Sequence, residues 1–277
     1  QISDEEPAES ISNQELMVAA NDETSLDAAS TVLGTVTKKG VKQILGVKTA
    51  ELATLFAVAR RDANVALANE LAILCENASL DYSEIFKLLV PETRETSFAP
   101  TIAEEDNKNE TYLLLESAEN LNTKLRLTVL ARQINENMVR HAVNLAQDTL
   151  RSCGKTLRRA RVAVLGTTEP KTTADTFVKM LETKGAKFNI YDPLSSKNEP
   201  SDMARVLKRS LNEAVEGTDC IVILTGNDQF KRLNLKKLRA VMKMPAAIVD
   251  LTGTIEPQKV EKEGFIYRGL GRGVWTK

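Results

Sequence analysis

Apolar residues recur at helical spacing from Leu26 to Val36, through Leu26, Ala29, Val32, Leu33 and Val36, which predicts an amphipathic helix. A short strand-like run, Val41 to Val47, follows it. Thr49 then offers an N-cap with Glu51 in the first turn. From there to Ala78 the chain is rich in Ala, Leu and Glu and contains neither Pro nor Gly. This predicts one helix of close to thirty residues, long enough to pack on more than one neighbour. Asp81 to Val90 predicts a shorter helix stopped by Pro91. Pro91 to Thr111 is polar and irregular. Tyr112 to Asn120 and Leu125 to Cys153 are helical again, with Gly154 as the C-cap of the second. Residues 1 to 15 are acidic, polar and without period, and read as irregular.

After Gly154 the period changes. RVAVLG, KFNIYD, DCIVILT, AAIVDLT and FIYRGLG are short runs rich in β-branched residues. Helical segments separate them at Ala174 to Lys184, Met203 to Val215, Leu235 to Met244 and Pro257 to Glu263. Alternation of this kind predicts an α/β fold, a doubly wound and mainly parallel sheet. Ligands of such sheets sit beyond the carboxyl ends of the strands. The first strand ends at Gly166 and the second at Asp192, whose carboxylate could accept hydrogen bonds from a ribose. The turn after the first strand, GTTEPKTTAD, holds one glycine where a dinucleotide fingerprint needs three. No NAD site is expected there. Lys171 with Thr167, Thr168, Thr172 and Thr173 suits either a capped, solvated turn or a phosphate at the helix N-terminus.

Composition narrows the classes. Of 277 residues, 42% are apolar and 27% charged, as in ordinary globular proteins. The length predicts about two domains on a prior of roughly 150 residues each. A net charge of −1 gives no reason to expect nucleic acid or an anionic membrane as partner. No apolar run reaches the roughly 20 residues of a membrane span, and no signal peptide is visible. The chain opens on Gln1 rather than Met, which reads as a fragment or a trimmed chain. Three scattered cysteines, Cys75, Cys153 and Cys220, make no metal or disulfide pattern and point to a reducing cytoplasm. His141, the single histidine, sits in a helical run beside Arg140 and reads as a surface or capping residue. No metal site is expected.

Ala50 to Glu76, LARQINENM (Leu130 to Met138), RRARVAVLG (Arg158 to Gly166) and GFIYRGLGRG (Gly264 to Gly273) together resemble the UDP-glucose/GDP-mannose dehydrogenase family. Arg61, Asp62 and Asn64, followed by Asn69 and Glu70, resemble its UDP-N-acetylmannosamine dehydrogenase branch. The resemblance covers roughly residues 15 to 277. It implies a remnant of an NAD-binding Rossmann domain over 1–48, a central helical domain over 49–154 and a UDP-binding α/β domain over 155–277. It also implies a homodimer through the central helices. Within the remnant, Val18 to Val36 resembles the last helix of the cofactor domain. Arg61, Asn64, Asn69, Glu70, Arg132, Asn135 and Met138 are then read as helix-packing and dimer-interface residues. Arg268 and Arg272, set among three glycines, are expected to reach a diphosphate.

The family's chemistry oxidises an alcohol to a carboxylate in two NAD-dependent steps through a thioester on cysteine, a good nucleophile and leaving group. Where the resemblance implies the catalytic lysine, asparagine and cysteine, this chain has Thr54, Val58 and Glu105. The first two sit four residues apart on one helical face. The leading expectation is a homologue without the family's catalysis, acting as scaffold or regulator, with no cofactor bound by this chain. Two alternatives stay open: an active NAD-dependent UDP-sugar 6-dehydrogenase with a divergent site, and a UDP-sugar-binding module using Gly166, Lys171, Asp192, Arg268 and Arg272.

Overall fold

The computed structural model describes residues 12–89, 99–102, 108–166, 173–193 and 206–273. Glu105 and Lys171 lie outside them, as does the segment Thr167 to Thr172. The chain divides into two compact units, Gln1–Arg61 with Asn109–Leu125, and Asp62–Lys108 with Arg126–Lys277.

In the first unit, β1 (Leu16–Ala20) and β2 (Val41–Leu45) pair in parallel from Leu16↔Val41 to Ala20↔Leu45. The helix α1 (Glu23–Gly34) connects them. Its start is set by Asp22, whose backbone is extended and whose carboxylate accepts from Ser25 N at 2.8 Å. The helix therefore starts three residues before the predicted Leu26 and ends two before the predicted Val36. The likeness of Val18 to Val36 to a single helix is corrected too, because Val18 to Ala20 belong to β1. The long helix α2 spans Val47–Asn77. It begins before Thr49, because Gly46 turns at φ +108° and Val47 N donates to Asn21 Oδ1 at 3.3 Å. Thr49 is thus a first-turn residue and not the cap.

The second unit takes in the later turns of α2, then α3 (Tyr82–Leu89) and α5 (Arg126–Ser152). Between those two in sequence, α4 (Lys108–Asn120) belongs almost wholly to the first unit. Gly154, at φ +69°, ends α5 in a left-handed cap, with Lys155 N on Leu150 O and Gly154 N on Arg151 O. Beyond it lie β3 (Arg161–Leu165), α6 (Thr173–Thr183), β4 (Lys187–Tyr191), α7 (Leu211–Val215) and β5 (Cys220–Ile223). Then come α8 (Asp228–Lys231), α9 (Leu235–Val241), β6 (Ala247–Asp250), α10 (Pro257–Lys262) and β7 (Ile266–Gly269). The five strands form one sheet in the order β4-β3-β5-β6-β7, with every neighbouring pair parallel.

Parallel strands covered on both faces read as unbroken apolar runs, and alternate residues divide between two cores. Val162, Val164, Val222 and Val249 meet Met138, Val143 and Leu150 of α5 and Phe177 and Leu181 of α6. Ala163, Leu165, Ile221, Ile223, Ile248 and Tyr267 meet Phe230, Leu238 and Val260 on the other face. Each fully buried large aliphatic contributes roughly 1.5–3 kcal/mol.

Two predicted helices are shorter within the described residues than their composition suggests. Of the predicted span Met203 to Val215, the described part from Val206 is helical only from Leu211. Leu207 instead bridges Ile190, with Ile190 N on Val206 O and Lys208 N on Ile190 O, and Ser210 caps α7. Leu235 to Met244 ends at Val241, because Met242 is extended. Among the described residues no helix is long and apolar enough to cross a membrane.

Candidate functional site

In this strand order the chain leaves β3 to one side for β4 and returns on the other side as β5, so the crevice opens beyond the carboxyl ends of β3 and β5. Gly166 closes β3 there at φ +125°, and a Cβ on it would stand 2.1 Å from Thr225 Oγ1. Only glycine lets the β3 and β5 loops approach so closely. Gly226 continues the row against Thr254 Oγ1, at 3.7 Å from its would-be Cβ. The Thr252 and Thr254 hydroxyls are hydrogen-bonded to each other. Asp192 follows β4 directly, and Gly166 N donates to Tyr191 O at 2.9 Å. Gly166 and Asp192 therefore stand at the ends of adjacent strands.

Asp250, fully buried at the end of β6, holds the next loop in shape. It accepts from Thr252 N at 3.1 Å and from Ile255 N at 2.8 Å, with Tyr267 Oη at 3.4 Å. Burial pushes the Tyr267 phenol far above its ordinary range, and the nearby Asp250 charge pushes the same way. Arg272 Nη1 donates to Tyr267 Oη and to Ile255 O, both at 3.0 Å, while its Nε lies 3.5 Å from Asp81 Oδ2. Asp81 in turn caps α3 by accepting from Ser83 N at 2.7 Å.

The segment Gly269 to Gly273 is a clasp. Gly271 N donates to Glu76 Oε1 at 2.7 Å, Tyr82 N to Gly271 O at 2.8 Å and Gly273 N to Leu80 O at 2.8 Å. A Cβ on Gly273 would stand 2.4 Å from Ser79 Cα. His141 completes it, Nε2 at 2.8 Å from Glu76 Oε2. The lone histidine is thus a half-buried internal contact and not a surface residue.

The two arginines separate. Arg272 faces the loops after β6, while Arg268 lies on the edge strand β7, three strands from β3. Arg268 Nη1 donates to Tyr267 O at 2.8 Å, and burial lowers its guanidinium pKa against the raising effect of Glu261 and Asp148.

On the helices, Asp62 and Arg132 form a buried pair at 2.7 Å. Asn135 Nδ2 donates to Asp62 Oδ1 at 2.6 Å, and Asn69 Nδ2 to Asn135 Oδ1 at 3.0 Å. Asn69 Oδ1 accepts from Thr101 N at 2.9 Å. Asn69 and Asn135 thus join a network within one chain, whereas Arg61 and Glu70 are exposed and Asn64 is half-buried. Thr54 is exposed, with Oγ1 donating to Ala50 O at 3.1 Å, and Val58 is buried. The three cysteines are buried, and burial is the leading cause raising each thiol.

Sequence reasoning missed Asp81, Asp250, Tyr267 and Glu76 as network residues. Asp81 was legible as a helix start, and Asp250 as a carboxylate closing an apolar run. The link from Asp81 through Arg272 and Tyr267 to Asp250 was not, because only the fold brings these residues together.

Two family models match the chain. The central domain of the UDP-glucose/GDP-mannose dehydrogenase family covers residues 48–137, and its UDP binding domain covers residues 170–257. The UDP-N-acetyl-D-mannosamine dehydrogenase of Pyrococcus horikoshii is 31% identical over 85% of this chain and 54% of its own length. The UDP-glucose 6-dehydrogenase of Rhizobium meliloti is 28% identical over 74% of this chain and 48% of its own. The chain spans about half the length of these relatives. Among solved structures, the Pyrococcus horikoshii UDP-D-ManNAc dehydrogenase superposes with a TM-score of 0.84 at 26% identity, covering 98% of this chain and 63% of its own. The NDP-N-acetyl-D-galactosaminuronic acid dehydrogenase of Methanosarcina mazei Go1 gives 0.87 at 23%, covering 98% and 61%, and shares the fold. By both its helical and its parallel-sheet region, the chain belongs to the UDP-glucose/GDP-mannose dehydrogenase family.

Proposed function

We propose that this chain works as a non-catalytic member of its family, a scaffold or regulator without the thioester chemistry that the family resemblance implies. One observation carries the reading. At the helical positions assigned to lysine and asparagine, Thr54 turns its hydroxyl onto Ala50 O and Val58 is buried and apolar. Neither can deliver a charge to a substrate oxygen, and Val58 cannot hydrogen-bond at all. The test is absorbance at the nicotinamide band, with purified protein, NAD and either UDP-N-acetylmannosamine or UDP-glucose. No NADH is expected, and turnover of either sugar would overturn the reading.

A second reading, retention of a UDP-sugar without turnover, is favoured by the row formed by Gly166, Thr225, Gly226, Thr252 and Thr254 with Arg272 beside it. The Arg272 Nη2 atom is 3.5 Å from a Cβ placed on Gly253. Calorimetry against UDP and the two UDP-sugars tests it. Micromolar binding that weakens in Thr254→Val supports the site, and binding unchanged in that variant places the ligand elsewhere.

A further inference from the structure

The amino ends of β3 and β4 gather cations. Lys155 to Arg161 and Thr183 to Lys187 hold Lys155, Arg158, Arg159, Arg161, Lys184 and Lys187, and no carboxylate. The fold sets these two segments side by side. Arg159 N donates to Gly185 O at 2.7 Å and Lys187 N to Ala160 O at 2.8 Å, and Arg161 is the registered neighbour of Lys187. Asp219 reaches this edge, but it accepts from Lys155 Nζ at 2.8 Å and from the Arg161 amide at 2.9 Å. Arg158, Arg159, Arg161, Lys184 and Lys187 are exposed, and among the described residues none of the five is in an ion pair. Elsewhere in the same unit exposed cations find a carboxylate within one helical turn, as Arg151 does with Asp148, Lys231 with Asp228 and Lys259 with Glu256.

The fold's own needs explain only part of this cluster. A cation at a helix carboxyl end is held by the helix dipole. That accounts for Lys184, which directly follows α6, but not for Arg158, Arg159, Arg161 and Lys187, which lie on no helix. Arg159 is moreover held at φ +70°, a left-handed conformation that strains any side chain and suits glycine. Strain kept at a long cationic residue points to a use for the cation. We propose that this face docks an acidic segment of a partner protein, whose carboxylates pair with Arg158, Arg159, Arg161 and Lys187. A guanidinium binds a carboxylate through two parallel hydrogen bonds. With the six cations set aside the rest of the chain is acidic, so a short acidic segment is attracted while a long polyanion is repelled beyond the patch. Phe188, the next residue of β4, packs against the core and offers nucleic-acid bases no ring to stack on. The face lies at the end of the sheet opposite the crevice, so the proposal does not depend on whether the chain holds or oxidises a sugar.

Fluorescence anisotropy of the intact chain with fluorescein-labelled hexaglutamate tests it, at low salt, where exposed charges are least screened. Circular dichroism checks the folding of every variant. The wild type is expected to bind with a Kd of about 100 μM. Arg161→Glu with Lys187→Glu is expected to weaken binding about tenfold or more. Lys236→Glu with Lys237→Glu makes the same change of net charge at exposed cations in the first turn of α9, and is expected to leave binding within about twofold. Arg159→Gly is expected to weaken binding about threefold while raising the melting temperature, because glycine relieves the strain. A wild type that does not bind the peptide at about 1 mM overturns the proposal. So does an equal loss in the α9 pair, or an Arg159→Gly chain that binds as tightly as the wild type. Tighter binding of labelled hexathymidylate than of hexaglutamate overturns it in favour of a nucleic acid.

Discussion

At the scale of single residues, two left-handed glycines separate backbone strain from steric fit. Gly154 and Gly271 have almost the same left-handed φ, +69° and +71°. A Cβ on Gly154 meets nothing within 4 Å, whereas one on Gly271 would stand 3.0 Å from Tyr82 Cβ and 3.1 Å from Ala72 Cβ. Gly154→Ala should therefore cost about 1–2 kcal/mol, the left-handed penalty alone. Gly271→Ala should cost that and about 1–3 kcal/mol of overpacking besides. Urea unfolding of the two variants checks the difference, and equal midpoints would mean that the clasp relaxes around a methyl group. Asn69 gives a polar counterpart. Its amide bridges Asn135 and the backbone of Thr101, so Asn69→Ala strands a buried acceptor and a donor and should cost about 2–4 kcal/mol. Thiol labelling offers a third residue-scale check. With all three cysteines buried, no thiol should react with an aromatic disulfide reagent until the chain unfolds.

Between elements, the pair at the amino end of the sheet gives a pH dependence of definite sign. Lys155, just beyond α5, reaches Asp219 Oδ1 at 2.8 Å, and Asp219 Oδ2 accepts from Arg161 N at 2.9 Å. Burial alone would raise the Asp219 carboxyl, but the Arg161 amide and the Lys155 ammonium outweigh it and leave its pKa below the ordinary value. A depressed carboxyl stabilises the fold above its unfolded pKa, about 3.9, and loses that contribution as pH falls through the folded value. Asp219→Asn should therefore lower the melting temperature at pH 7 and at pH 5, with the gap closing below about pH 4. A gap that stays constant down to pH 3 would show that the charge of Asp219 contributes nothing. The elements themselves differ in how far the sequence announces them. β3, β5 and β6 were legible because strands buried on both faces must be continuous in β-branched and apolar residues. β1 was not, because Leu-Met-Val-Ala-Ala carries one β-branched residue and suits a helix equally well. The stretch before α7 misled for the converse reason. Its composition favours a helix, but Leu207 is bridged to Ile190, and tertiary pairing overrides propensity. At the candidate site, Gly166 and Asp192 were legible from strand ends alone. The engagement of Arg272 with Asp81 was not, since pattern along a chain says nothing of which distant carboxylate a loop arginine meets.

Across the whole molecule, burial is unevenly distributed, and local stability should follow it. Every residue from Val162 to Leu165, from Cys220 to Ile223 and from Ala247 to Asp250 is fully buried. In β1, α1 and β2 the buried apolar residues are Val18 and Leu26, while Met17, Val32 and Leu45 are 46%, 65% and 58% exposed. Ordering a residue costs about 1–2 kcal/mol of backbone entropy, and two strands with a helix bury too little here to repay that for their length. Opening of β1, α1 and β2 should therefore take much less free energy than opening of the five-stranded sheet. Hydrogen exchange at neutral pH, followed by mass spectrometry, reads this directly. Peptides covering Leu16 to Leu45 should exchange at least about a hundredfold faster than those covering β3 and β5, a gap of about 2.7 kcal/mol in opening free energy. If the two sets exchanged within tenfold of each other, β1, α1 and β2 would be held by more than their own small core.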